Sequence, residues 1–153
     1  MSGIFYCTRK ISGGTTMTVT ERNKSAILRF KTCINTCDYG LADELIDSRA
    51  EFASLTSPET LYGGKGYLSV VELMRRSFSD IRWEISDMAA EGDKVAVSWV
   101  CSGTHDGEFM GRKASGKKFS FTCMNFYYFS GDGKIIRDVA AQGLAGLIGA
   151  LDA

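Results

Sequence analysis

The hydrophobic positions of this chain change their period near Ile81. Upstream they recur every three or four residues. Ile27, Phe30, Ile34 and Cys37 fall on one side of a helix. Thr18, followed three residues later by Glu21, supplies a capping box for its start. Asp38-Tyr39-Gly40 ends it with turn chemistry, and Leu41, Leu45 and Ile46 predict a second short helix. Ser57-Pro58 and Gly63-Gly64 bracket a loop. Tyr67, Val71, Met74 and Phe78 then mark a helix of about 14 residues.

Downstream the pattern alternates. Residues 81–91 read as a strand that ends in the turn Glu91-Gly92-Asp93. Residues 95–104 and 119–129 are strands rich in β-branched and aromatic side chains. Gly131-Asp132-Gly133 is a hairpin turn, and residues 134–141 form the last strand. Leu144, Leu147, Ile148 and Leu151 predict a closing helix over 143–152. Residues 103–118 hold four glycines and many charges and read as a long exposed loop. Helices first and antiparallel strands afterwards make an α+β fold, with helices covering the apolar face of the sheet.

Strand alternation sorts the side chains by face. Phe119, Phe121, Cys123, Asn125, Tyr127 and Phe129 form the expected interior face of their strand. Val95, Val97, Trp99 and Cys101 match them on the strand before, and Trp83 and Ile85 on the first. A one-residue bulge would reverse any of these assignments locally. Asn125 is an amide on an apolar face, so it needs a partner or a ligand. Asp138 in the last strand is a general base if it points inward and a surface carboxylate otherwise. His105 is the chain's one histidine. It stands at a strand end, either as a proton-transfer group or as a solvated loop residue. Met124, Phe126 and Tyr128 fall on the outward face, an apolar strip that suggests a homodimer through the sheet.

Composition narrows the function classes. The 153 residues fit one domain, over 17–153, preceded by a loose extension over 1–16, with Met17 a candidate natural start. Eighteen basic and eighteen acidic residues leave no excess to attract nucleic acid or an anionic membrane. No apolar run reaches the roughly 20 residues of a membrane helix. Residues 1–16 lack the order of charge and apolar core of a signal peptide. The five cysteines, Cys7, Cys33, Cys37, Cys101 and Cys123, make no regular disulfide framework. A cytoplasmic location and buried thiols follow. With a single histidine and no ligand spacing, neither a metal nor any other cofactor is expected. The glycine-rich run 111–118 lies between strands, with no helix N-terminus after it to cradle phosphate. No Ser-His-Asp order or dinucleotide fingerprint is present.

Four segments carry a family resemblance: residues 90–97 (AEGDKVAV), 103–111 (GTHDGEFMG), 133–135 (GKI) and 143–147 (GLAGL). In them the chain resembles the SnoaL-like polyketide cyclases of the nuclear transport factor 2-like superfamily, over roughly residues 20–150. The resemblance implies a cone-shaped, strongly curved antiparallel or mixed sheet capped by the N-terminal helices around a single pocket. It implies a small apolar or aromatic molecule as partner and cofactor-independent, aldol-type acid/base chemistry. Non-catalytic binders, isomerases and hydroxylase-like members share the fold. Trp83, Trp99, Phe121, Cys123, Tyr127 and Gln142 are the expected substrate-binding residues. In the family's cyclases an aspartate acid/base occupies the position of Asn125. The run Glu-His-Trp of many members corresponds to Arg137, Asp138 and Val139. Asn125 can polarise a carbonyl but cannot carry a proton. Proton transfer therefore falls to Asp138, with His105 assisting at the rim.

Overall fold

A computed structural model describes residues 16–153. The expected loose extension over 1–16 lies outside them except for its last residue. Helix α1 (Val19–Thr36) opens with the capping box: the Thr18 backbone N–H donates to Glu21 Oε2 at 2.8 Å and Glu21 N–H to Thr18 Oγ1 at 3.2 Å. Cys37 ends the helix in the left-handed region with φ 53°. Asp38 then caps α2 (Tyr39–Leu45), accepting the Leu41 N–H at 2.9 Å. Of the expected turn Asp38-Tyr39-Gly40, the last two residues therefore already belong to the second helix.

Two short strands, β1 (Glu51–Ala53) and β2 (Thr60–Tyr62), pair antiparallel around Ser57-Pro58. At three residues each they are too short for periodicity to reveal. Helix α3 (Gly63–Ser77) follows at once. The Gly63-Gly64 pair, expected to close the loop that Ser57-Pro58 opens, forms the first turn of α3 against α2. A Cβ on Gly64 would lie 2.6 Å from the Ala42 carbonyl carbon, so the glycine permits the close approach of the two helices.

The main sheet runs β3 (Arg82–Glu91), β4 (Lys94–Thr104), β5 (Lys118–Phe129) and β6 (Ile135–Ala141) in sequential antiparallel order. Helix α4 (Gly143–Asp152) closes the chain. This α+β fold of helices on a mainly antiparallel sheet agrees with the sequence pattern. Alternation on β4 and β5 also holds: Val95, Val97, Trp99, Cys101, Phe119, Cys123, Asn125, Tyr127 and Phe129 are buried. On β3 the phase changes. A register shift between Ile85 and Asp87 moves the core-facing positions from Trp83 and Ile85 to Met88 and Ala90.

The core has two parts. The larger joins Phe30 of α1 and Leu68 of α3 to Trp99 and Tyr127 of the sheet. The second gathers Phe78, Ile81, Cys101, Phe109 and Phe119 with Leu147 and Leu151 of α4. Burying such side chains stabilises by about 1.5–3 kcal/mol each. The second cluster corrects the reading of residues 103–118 as an exposed loop. His105 and Phe109 are buried in it, and the Gly107 and Asp106 amides donate to the Ser77 carbonyl at 2.9 and 3.1 Å. Only the stretch beyond Phe109 stays largely exposed. Among the described residues, no helix is long and apolar enough to cross a membrane.

Gly64→Ala is expected to force α2 and α3 apart and to cost about 1–3 kcal/mol of stability. Urea unfolding followed by circular dichroism measures it, and an unchanged midpoint would contradict the close contact.

Candidate active site

A cavity of about 290 Å³ lies between the helical layer and the sheet. The helical layer contributes Ile34, Tyr67, Val71 and Met74, and the β1 region Phe52 and Leu55. The sheet contributes Trp83, Trp99, Cys101, Phe121, Cys123, Asn125, Tyr127 and Asp138. Gly143, Leu144 and Leu147 of α4 close one side. A smaller cleft of about 180 Å³ lies beyond Leu55 and Val70, which it shares with the first.

Among the described residues, the lining holds one carboxylate and no cationic side chain. Asp138 enters through register. It stands opposite Tyr127 on the neighbouring strand, while Asn125 stands opposite Ala140. Asn125 and Asp138 are thus diagonal neighbours on the inward face, and Asn125 Nδ2 donates to Asp138 Oδ2 at 3.3 Å. This contact answers both questions the sequence left open, namely which way Asp138 points and what the buried amide bonds to. Burial pushes the Asp138 carboxyl above its ordinary value, and the Asn125 hydrogen bond offsets part of that rise.

Two phenols share the space. Burial pushes Tyr127 well above the usual tyrosine value, with Tyr67 and Asp138 adding to the shift. Burial does the same to Tyr67, followed by the Asp138 charge, and the Tyr127 hydroxyl pulls the other way. Both are therefore neutral O–H groups at any working pH. Tyr67 is a member of the site that the sequence reading placed only on a helical core stripe. Its spacing announced the helix face, and nothing local announced the cavity.

The remaining expected residues divide. Trp83, Trp99, Phe121, Cys123 and Tyr127 line the cavity together with Asn125 and Asp138. The indole Nε1 of Trp99 is buried without a hydrogen-bond partner among the described residues. His105 does not line it. Expected at the rim or in solvent, it is 2% exposed and packed in the second cluster, tilted against Phe78 with ring centroids 5.5 Å apart. Its Nδ1 lies 3.1 Å from Ser115 Oγ. Phe78 in turn packs on Phe109 and Phe119, with ring centroids 5.0 Å apart in each case. Gln142 is exposed outside the lining and starts α4 in the left-handed region at φ 61°. The four described cysteines carry free thiols, and burial raises Cys33 and Cys101 to about 12. They act as small hydrophobes rather than nucleophiles.

The model of the SnoaL-like polyketide cyclase family matches residues 24–149. The chain belongs to that family. Solved structures agree with the assignment. IdmH of Streptomyces antibioticus, named as a candidate polyketide cyclase, is 25% identical, with a TM-score of 0.70 over 86% of this chain and 99% of its own. A SnoaL-like candidate cyclase from Jannaschia sp. CCS1 shares the fold at 18% identity and a TM-score of 0.72, over 92% of this chain and 99% of its own. AclR of Streptomyces galilaeus, named as a candidate hydroxylase, shares it at 23% identity and 0.68, over 87% and 82%. Among curated proteins none matches significantly.

The Asp138 shift fixes a pH dependence. A carboxyl raised in the folded state holds its proton more tightly there than in the unfolded chain. Stability is therefore lost as pH rises from the ordinary value of 3.8 through the folded value. Asp138→Asn is expected to melt higher than the natural chain at pH 8, with the difference shrinking as pH falls toward 4.5. A difference that stays constant with pH would contradict the buried carboxylate.

Proposed function

We propose that this SnoaL-like protein is a cofactor-independent acid/base enzyme of the polyketide-cyclase kind, with Asp138 as its base. The observation that carries the reading is the carboxylate of Asp138, desolvated in an apolar cavity and held by Asn125. Family resemblance puts an aspartate where Asn125 stands on β5. Asp138 on β6 brings a carboxyl group to within 3.3 Å of that amide, so the acid/base is supplied from the neighbouring strand. A base with a raised pKa suits the removal of a proton next to a carbonyl near neutrality.

In this mechanism a neutral aromatic or polyketide-like molecule with two carbonyl groups lies between the layers. Asp138 removes a proton from the carbon beside one carbonyl. The C–H electron pair becomes the enolate, whose carbon attacks the second carbonyl. Protonated Asp138 returns the proton to the new alkoxide, so no oxidant or other reactant is consumed. Asn125 orients the base. Trp83, Phe121 and Tyr127 shape the cavity and hold a flexible chain in its reactive fold, a contribution of orientation alone. His105 and Gln142, both outside the lining, have no part in these steps. The names given to IdmH and the Jannaschia protein support a cyclase, and that of AclR leaves hydroxylase-like chemistry as a relative's activity.

A second reading has a specific support, the amide at Asn125. A domain that exchanged its acid for an amide could keep the cavity as a non-catalytic binding site. The two readings separate on a panel of neutral aromatic ketones with a second carbonyl in a side chain, screened by thermal shift and then by mass spectrometry for conversion. The enzyme reading expects a ligand that raises the melting temperature and is converted, with Asp138→Asn slowing conversion by about 10²–10⁴-fold while binding persists. Binding with no conversion by the natural chain would favour the binding domain.

We further propose that the outward sheet face pairs with a second copy. Met124 and Phe126 are 51% and 48% exposed there, and Val139 beside them is 40% exposed. Sedimentation is expected to give twice the monomer mass of 16.7 kDa, and Phe126→Lys to shift it to monomer. A monomer at working concentration would contradict the pairing.

A further inference from the structure

We infer that Tyr67 is the hydrogen-bond donor that meets the substrate oxygen as it becomes an oxyanion. The inference rests on the acid/base reading of Asp138 and adds to it the group that receives the developing charge.

The need for such a donor follows from the lining. When a base takes a proton beside a carbonyl, the charge it loses appears on the carbonyl oxygen. Among the described residues no cationic side chain lines the cavity to meet it, so neutral donors take that place. Asn125 already commits one N–H to Asp138. Tyr127 and Trp99 are each 2% exposed, packed edge to face with ring centroids 6.4 Å apart, and so are sunk in the wall. Tyr67 differs from both. It comes from α3, on the layer opposite the sheet, and keeps accessible surface while lining the cavity. Its ring is fixed edge-on by Phe30 at 5.1 Å and Phe52 at 5.0 Å. Tyr67 and Asp138 line the same cavity. A substrate held between the layers therefore meets Asp138 on the sheet side and the ring-locked Tyr67 on the helix side.

Tyr67 keeps its O–H bond throughout. Its phenol is held far above neutrality, so it donates a hydrogen bond to the enolate oxygen and does not give up the proton. The proton moves from carbon to Asp138 and back to the second oxygen, as above. Preorganised donors in a water-poor site are worth more than in water, because no reorganisation accompanies the reaction.

The test uses two flat probes of the same ring system, 2-naphthol and naphthalene, bound to the Asp138→Asn protein, where the base no longer repels an oxyanion. Affinities are read by fluorescence with and without Tyr67→Phe. With Tyr67 present, 2-naphthol is expected to bind about tenfold more tightly than naphthalene, the worth of one good hydrogen bond. The naphtholate form is expected to be enriched in its spectrum. Tyr67→Phe is expected to abolish both the preference and the enrichment and to leave naphthalene binding unchanged, which also shows that the variant is folded. A preference that survives Tyr67→Phe overturns the inference and leaves Asp138 as the base. Failure of naphthalene to bind either protein overturns the cavity reading itself, and this inference with it.

Discussion

A carboxylate in an apolar cavity is the constraint around which the site is organised. Moving such a group out of water costs several kcal/mol unless charge or hydrogen bonds compensate. Among the described residues, the compensation around Asp138 is incomplete: one amide N–H from Asn125 at 3.3 Å, and no cation in the lining. The carboxyl responds by holding its proton more tightly than it would in water. Full neutralisation by an arginine would have made a stable ion pair and a poor base. The arginine nearest in role, Arg75, instead donates to the Ile34 and Asn35 carbonyls at 3.1 and 2.7 Å, tying α3 to α1.

The fold produces this situation through register and layering. Tyr127 opposite Asp138 fixes which face of β6 looks inward, and the helices α1 and α3 keep water from the other side. The packing that buries Phe30, Leu68, Trp99 and Tyr127 is thus also what raises the Asp138 carboxyl. The second cluster does a different task. It anchors α4 and the segment after β4, so that Leu144 and Leu147 can close the cavity from the side. The same buried surface stabilises the fold and desolvates Asp138.

Much of this was legible in the sequence, and the reasons for the rest are local. Strand alternation on 119–129 identified Phe121, Asn125 and Tyr127 as inward because an eleven-residue strand repeats its pattern several times. Residues 134–141 offered no such contrast: Arg137 and Val139 flank Asp138 with opposite preferences, so only pairing with Tyr127 settles its direction. The three-residue strands β1 and β2 carry too little periodicity to be seen, and Gly63-Gly64 resembles a loop until Ala42 is placed against it. His105 is expected at the site from its chemical type and strand-end position, and Gln142 from the family resemblance. One is drawn into an aromatic cluster and the other sits exposed at a helix start. Tyr67 marks only a helix face in the sequence, because a helical stripe does not distinguish a filled interface from one with a hollow. The family resemblance implies the fold but not the acid, since Asn125 stands where that resemblance implies an aspartate.

The central claim is that Asp138 titrates as a desolvated carboxyl held by one amide. The most direct measurement is the titration of its side-chain carbon by nuclear magnetic resonance, in the natural chain and in Asn125→Leu. The account predicts a midpoint above 3.8 in the natural chain and a higher one still when the amide is removed. A midpoint at or below 3.8, or no response to the loss of Asn125, would contradict it.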